Sequence, residues 1–230
     1  LQLRGEATLR YSSANRERTG HVHFGLGWKR FASLTSLTFS DFDDLRAGSR
    51  HPSRYPDFGK RPWYQDRLDG VDTVVFQDDQ ELQVRSGYRQ WNLAQKFRYM
   101  PTNQWDIEYA LLLASGSEVP RYDRLIEWED GKPVYAQWYY GPQAWVMNRV
   151  SITHRGRHGW YDKARLLVAH QDFEESRNDR KFNGEWLRQR TEKVAAYSIN
   201  LDAHREWNQA ATLFYGLEGV WNDVNSSAIA

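Results

Sequence analysis

Trp105-Asp106-Ile107-Glu108-Tyr109-Ala110-Leu111-Leu112-Leu113 is the stretch that decides the fold class. Trp105, Ile107, Tyr109, Leu111 and Leu113 fall on one face, and Asp106, Glu108 and Ala110 on the other, because side chains along a strand alternate with a period of two. Ala195, Tyr197, Ile199, Leu201 and Ala203 repeat the pattern against Ala196, Ser198, Asn200 and Asp202. A tilted strand crosses a bilayer in roughly 9–11 residues, which is the length of these runs. In a soluble sheet the apolar face would be a core, and in a barrel it would face lipid. Alternation does not separate the two, so the loops and the aromatic residues must.

Working outward, further alternating runs carry Ala7, Leu9 and Tyr11, then Val22, Phe24, Leu26 and Trp28, then a stretch ending near Leu37 and Phe39. Others carry Trp91, Leu93, Phe97 and Tyr99, then Val146, Val150 and Ile152 with Asn148 intruding on their face. The last sets hold Ala164, Leu166 and Val168, the Tyr197 run, and Ala211, Leu213, Tyr215 and Leu217. Four connections are short: Lys29-Arg30, Pro101-Thr102-Asn103-Gln104, residues 155–159 and residues 204–208. Three are long and charged, near residues 41–84 (with Pro52, Pro56 and Pro62), 115–143 and 172–190, and a polar connection from Ser12 to Thr19 joins the first two runs. Short turns on one side and long loops on the other are the habit of outer-membrane barrels. The expected fold is therefore all-β, an antiparallel transmembrane β-barrel of which about nine strands are present.

Composition is compatible with this. Hydrophobic residues make up 40% and the mean hydropathy is −0.82, with no apolar run long enough for a membrane helix. Barrel strands devote half their residues to a polar lumen, so weak hydropathy is what they show. The 11 Trp and 13 Tyr outnumber the 10 Phe, and such amphipathic rings favour interfaces with one wet side. A net charge of +1 argues against nucleic acid as a partner. The absence of cysteine removes disulfides and thiolate metal sites.

Leu1-Gln2-Leu3-Arg4 shows no charged and then apolar leader and runs directly into a strand. Nine is also an odd count, and an open edge in lipid would leave backbone groups unpaired. The chain is thus expected to be a slice of a longer barrel.

Ordered segments along nearly the whole length add a family resemblance. They are Leu37-Thr38-Phe39-Ser40-Asp41-Phe42-Asp43-Asp44-Leu45-Arg46-Ala47-Gly48, Ser86-Gly87-Tyr88, Val119-Pro120-Arg121-Tyr122-Asp123-Arg124-Leu125 and Trp138-Tyr139-Tyr140-Gly141-Pro142-Gln143. Gln171-Asp172-Phe173-Glu174-Glu175-Ser176-Arg177 and Phe214-Tyr215-Gly216-Leu217-Glu218, with Asn222 and Ser226, complete the set. In order and spacing they resemble the barrel of TonB-dependent outer-membrane receptors. The resemblance implies a 22-stranded barrel plugged by a globular domain that lies outside these residues. It also implies a bacterial outer-membrane location and coupling to a TonB–ExbB–ExbD complex. The cargo would be a scarce nutrient: a siderophore, haem, a cobalamin, a glycan or a peptide. A surface lipoprotein is a possible further partner.

Arg121, Tyr122, Asp123 and Arg124, with Trp138, Tyr139 and Tyr140, share one long loop. Guanidinium forks hold carboxylates and phosphates, and exposed rings stack on planar ligands or sugars. These seven are the candidate ligand-capture residues. The alternative is that Asp123 pins the loop through an arginine while the aromatics pack it down. Lys96, Arg98, Glu108, Lys163 and Arg165 fall on the polar strand faces and are expected to line the lumen in ion pairs. His21 and His23 share a strand face, a weak metal-ligand pattern with no third ligand at a telling spacing. Asp41, Asp43 and Asp44, and separately Asp78, Asp79 and Glu81, offer oxygen ligands but fit no EF-hand. No cofactor is implied, and no catalytic motif such as Gly-x-Ser-x-Gly, His-Glu-x-x-His or a Walker loop occurs. Two other readings stay open: a soluble β-sandwich that binds carbohydrate, and a barrel hydrolase.

Overall fold

The computed structural model describes residues 1–50, 53–157, 159–207 and 211–230; Pro52 and Asn208 of the expected loops lie outside these. Nine long strands follow one another along the chain. They are β1 (Gln2–Ser12), β2 (Glu17–Gly27), β3 (Phe31–Phe42), β4 (Tyr88–Tyr99), β5 (Trp105–Gly116), β6 (Ala144–Arg155), β7 (Lys163–Lys181), β8 (Arg188–Glu206) and β9 (Thr212–Ile229). Each pairs antiparallel with its neighbour in sequence. The result is one open sheet of barrel-wall type, with one unpaired edge each on β1 and β9 among the described residues.

Register aligns the apolar residues into one continuous face. The Ile107↔Ile152, Ile152↔Leu166 and Leu166↔Leu201 pairs run across β5 to β8. Val22↔Leu37 and Leu37↔Leu93 do the same across β2 to β4. This face is uncovered: Phe24 is 42% exposed, Ile199 51% and Leu217 77%. A β-sandwich would need a second sheet on it, and no such sheet exists among the described residues. A contiguous exposed apolar surface of this kind calls for lipid or another apolar partner. No described helix is long and apolar enough to cross a membrane, which says nothing of a crossing by strands.

Two polar clusters interrupt the apolar face, and each satisfies itself. Asn148 accepts a 2.7 Å bond from the Tyr109 hydroxyl of β5. Thr35 donates to Gln95 at 2.6 Å, and Gln95 donates to Ser33 at 3.0 Å. Rings flank them: Phe31, Phe97 and Tyr109 stack in series, and Tyr197 stacks on Trp221 with His170 tilted against its other side.

The connections require two corrections. Residues 12–19, expected as a polar connection, are mostly strand, with only residues 13–16 turning between β1 and β2. More substantially, residues 172–190, expected as a third long loop, continue β7 and β8, which meet across residues 182–187. Both strands are 19 residues long, about twice what a bilayer crossing needs. The reason is cross-strand charge pairing. Lys193 reaches Glu174 at 3.1 Å, and Arg188 and Arg190 reach Asp179 at 2.7 and 2.6 Å. Asp172 and Glu174 follow His170 on the apolar face, so the ribbon leaves the apolar zone there while its pairing continues.

The other long loops are folded. Residues 43–87 hold the hairpin Trp63–Leu68 with Val71–Phe76 and the short pair Leu45–Arg46 with Leu82–Gln83. Residues 117–143 hold a helical turn, Tyr122–Leu125, and the strands Val119–Pro120 and Tyr135–Tyr140.

Candidate ligand-binding site

Tyr135–Tyr140 pairs with the extension of β7, beyond the end of β6. Tyr140 lies opposite Arg177 and Ala144 opposite Glu174, so four steps on one strand match three on the other. This is a bulge of one residue, and a one-residue slip moves side chains to the opposite face. Trp138 and Tyr140 thereby fall on the polar side of the sheet, continuous with Gln171, Glu175 and Arg177, while Tyr139 falls on the other. Two buried side chains fasten the bulge: Ser176 Oγ and Asn178 Nδ2 donate to the Gly141 carbonyl at 2.8 and 3.2 Å. Gly141 has φ +93°, and a Cβ there would meet Gln143 N at 3.0 Å and Ser117 O at 3.1 Å.

Arg121 organises the polar side. Its Nε and Nη2 donate to Asp123 at 2.7 and 2.6 Å, and its Nη1 donates to the Tyr140 hydroxyl at 2.9 Å. The guanidinium lies 4.9 Å above the Trp138 ring and 5.5 Å from that of Tyr140. Arg177 stands 5.8 Å from the same Tyr140 ring, so this ring has two guanidinium neighbours. The bidentate bond to Arg121 holds the Asp123 carboxyl below its ordinary range, and the same bond raises Arg121.

Thus the structure brings Arg121, Asp123, Trp138 and Tyr140 together. It directs the other candidates elsewhere. Tyr122 lies under Arg61, 4.9 Å from ring to guanidinium, and burial raises its hydroxyl. Arg124 pairs with Glu127. Tyr139, also raised by burial, lines a cavity of about 430 Å³ with Arg85, Glu118 and Gln137. Arg177 joins the surface although sequence reasoning did not select it. Its signal was the alternation Phe173, Glu175, Arg177, Asp179, visible once these residues are read as strand.

Buried hydrogen bonds lock the two loops to each other and to β7. Gln65 donates to the carbonyls of Leu125 and Tyr135 at 3.1 and 2.9 Å. Arg180 forks onto Asp72 at 2.6 and 2.7 Å. Arg61, its charge disfavoured by burial, donates to Trp63 O at 3.0 Å and to Val84 O. Of the expected oxygen-ligand groups, all but Asp78 are engaged with the protein itself among the described residues. Asp44 accepts from the backbone of Ser86 and Gly87, Asp41 pairs with Arg89, Asp43 with Arg16, and Asp79 and Glu81 with Arg46.

On the polar face of the wall, Arg98 donates to Asp106 at 2.8 and 2.6 Å and lies 3.8 Å from Glu108. Arg149 approaches Glu108 at 3.7 Å and Arg155 approaches Asp106 at 3.6 Å, which extends the network. Arg165 donates to Ser151 at 3.0 Å. Lys96 and Lys163 occupy the same face by register. His21 and His23 lie there too, on β2.

No known protein family and no curated protein matches the chain by sequence. Among solved structures, the copper transporter OprC shares the fold, with a TM-score of 0.67 over 99% of this chain at 11% identity. The chain spans 29% of that protein's length.

Proposed function

We propose that the chain is part of the wall and extracellular cap of an outer-membrane active-transport receptor. It captures a scarce nutrient from outside and imports it with energy transduced by a TonB–ExbB–ExbD complex. The observation that carries this reading is the uncovered apolar face on nine antiparallel strands, combined with folded, interlocked loops at one end only. Lipid covers such a face, and a built cap at one mouth suits ligand capture. The fold shared with a transporter supports the reading.

Capture is assigned to the Arg121–Trp138–Tyr140–Arg177 surface. Tyr140 and Arg177 suit a ligand with planar or anionic parts, since they offer a π face and a guanidinium fork together, while Arg121, engaged with Asp123, and the buried Trp138 hold Tyr140 in place. Arg177 is the more available cation, paired among the described residues with Glu175 at 3.6 Å and lying beside the Tyr140 ring. Tyr122, Arg124 and Tyr139 support the cap from behind. Lys96, Arg98, Glu108, Lys163 and Arg165 face the lumen, where mixed charge suits a wet or plugged interior. No catalytic role is proposed. A surface lipoprotein could close over the cap.

The test is growth of a strain deleted for the full-length protein on ferric siderophores, haem, cobalamin, glycans, peptides or copper as the limiting nutrient. Loss of growth on one of these, reproduced by TonB depletion and by Arg177→Glu, supports the reading. Growth unaffected by TonB depletion rejects energy coupling.

A further inference from the structure

His21 and His23 project from the polar face of β2, opposite Thr38 and Ser36 of β3. His21 Nδ1 lies 2.8 Å from Thr38 Oγ1, and His21 Nε2 lies 3.3 Å from His23 Nδ1. The rings are tilted by 48° with centroids 5.5 Å apart, so they are not stacked. When Thr38 accepts the Nδ1 proton, Nε2 of His21 is left as a lone pair directed at His23. A hydrogen bond that fixes the imidazole tautomer in this way is the usual support behind a metal-ligating histidine.

The separation of the two nitrogens is informative. Two nitrogens bound to one tetrahedral ion at about 2.0–2.1 Å stand roughly 3.3–3.4 Å apart. The two rings share a hydrogen bond at that same separation, so a cation between the nitrogens would take the place of its proton with little change in their spacing. Glu6 lies directly opposite His23 on β1, on the same face. Directly opposed residues have Cβ atoms about 4.5–5.5 Å apart, within reach of a glutamate side chain. Glu6 is exposed and makes no ion pair among the described residues. No three ligand-type side chains already converge there, so Glu6 must rotate to complete the set.

We propose that His21 Nε2 and His23 Nδ1 form a binding site for a borderline divalent cation such as Zn(II) or Co(II). Glu6 supplies the third ligand, water the fourth, and Thr38 positions His21. The site faces the same side as the lumen charges, but the assignment rests on the imidazole geometry and not on the transport reading.

The test is titration of the untagged full-length protein in detergent with Co(II), read by the visible absorption of four-coordinate cobalt, and with Zn(II) by calorimetry. One site is expected. His21→Gln and His23→Gln abolish it, and Thr38→Val weakens it roughly 10- to 100-fold. His170→Gln, on the opposite face, leaves it unchanged. Heat-modifiable gel migration checks that each variant is a folded barrel. Absence of binding by the wild type, or full retention in the His21→Gln/His23→Gln double variant, overturns the site. Unchanged affinity in Glu6→Gln overturns Glu6 as a ligand. Metal binding is measured without transport, so failure here and failure of the receptor reading are distinguishable.

Discussion

Arg180 and Asp72, 108 residues apart in sequence, form a two-pronged ion pair with both side chains buried, and Asp72 also accepts the backbone N–H of Asn183 at 2.8 Å. The pair clamps the Trp63–Phe76 hairpin onto the extension of β7. Asp72→Ala would leave the Arg180 charge buried and uncompensated, a loss of about 3–5 kcal/mol for groups of this kind. We expect the hairpin to detach while the wall stays folded. A fluorophore on Val71→Cys, unique because the chain has no cysteine, would show this as a fall in anisotropy.

The same contact sets a pH response. Burial pushes the Asp72 carboxyl up, but the Arg180 fork, the Asn183 N–H and the charge of Arg180 outweigh it and hold the group low. A carboxyl with a depressed value when docked contributes its stability fully above the free value, about 3.9. That contribution is lost as pH falls below this range towards the depressed one. Docking should be constant near neutrality and fail in acid, below about pH 4. Detachment on going from pH 7 to pH 9 would contradict this account.

Arg121 bridges Asp123 and Tyr140 by a fork that lysine does not possess. Arg121→Lys should resemble Arg121→Ala, each loosening residues 121–134 by about 1 kcal/mol, the scale of an exposed pair with a cation–π contact. Hydrogen exchange there should rise about fivefold. Rescue by lysine would show that charge alone suffices.

On the apolar face, the Tyr109–Asn148 bond makes a clean double-mutant cycle. Tyr109→Phe strands the Asn148 amide and should cost about 1–3 kcal/mol. Tyr109→Phe with Asn148→Val should return close to wild type, because neither partner is then left unsatisfied. Urea unfolding from lipid vesicles, followed by tryptophan fluorescence, reads both. Additive losses would refute the coupling.

Gly141→Ala combines a positive φ with two contacts near 3 Å. We expect a cost of about 1–2 kcal/mol for the backbone conformation alone. It should be concentrated in Tyr135–Tyr140, where amide exchange would accelerate.

The sequence by itself determined the wall. Faces alternate with the chain wherever a strand runs, so Ile107, Tyr109, Leu111 and their counterparts could be assigned without knowing any neighbour. Alternation put Trp91, Leu93, Phe97 and Tyr99 on one strand, found as β4, and the long loop expected to end near residue 143 does give way to β6 at Ala144. Tertiary structure decided the rest, because the missing information lay in register. A charged stretch such as residues 172–190 reads as a loop until Lys193 is opposite Glu174 and Arg188 opposite Asp179. Alternation puts Tyr139 and Tyr140 on opposite faces, but which of them meets the polar side is open until the one-residue offset sets Tyr140 opposite Arg177. Asn148 looks like a register error until Tyr109 is seen to reach it from the adjacent strand. Local alternation is a property of one strand, whereas pairing of buried polar groups depends on two, and the second partner can lie 108 residues away.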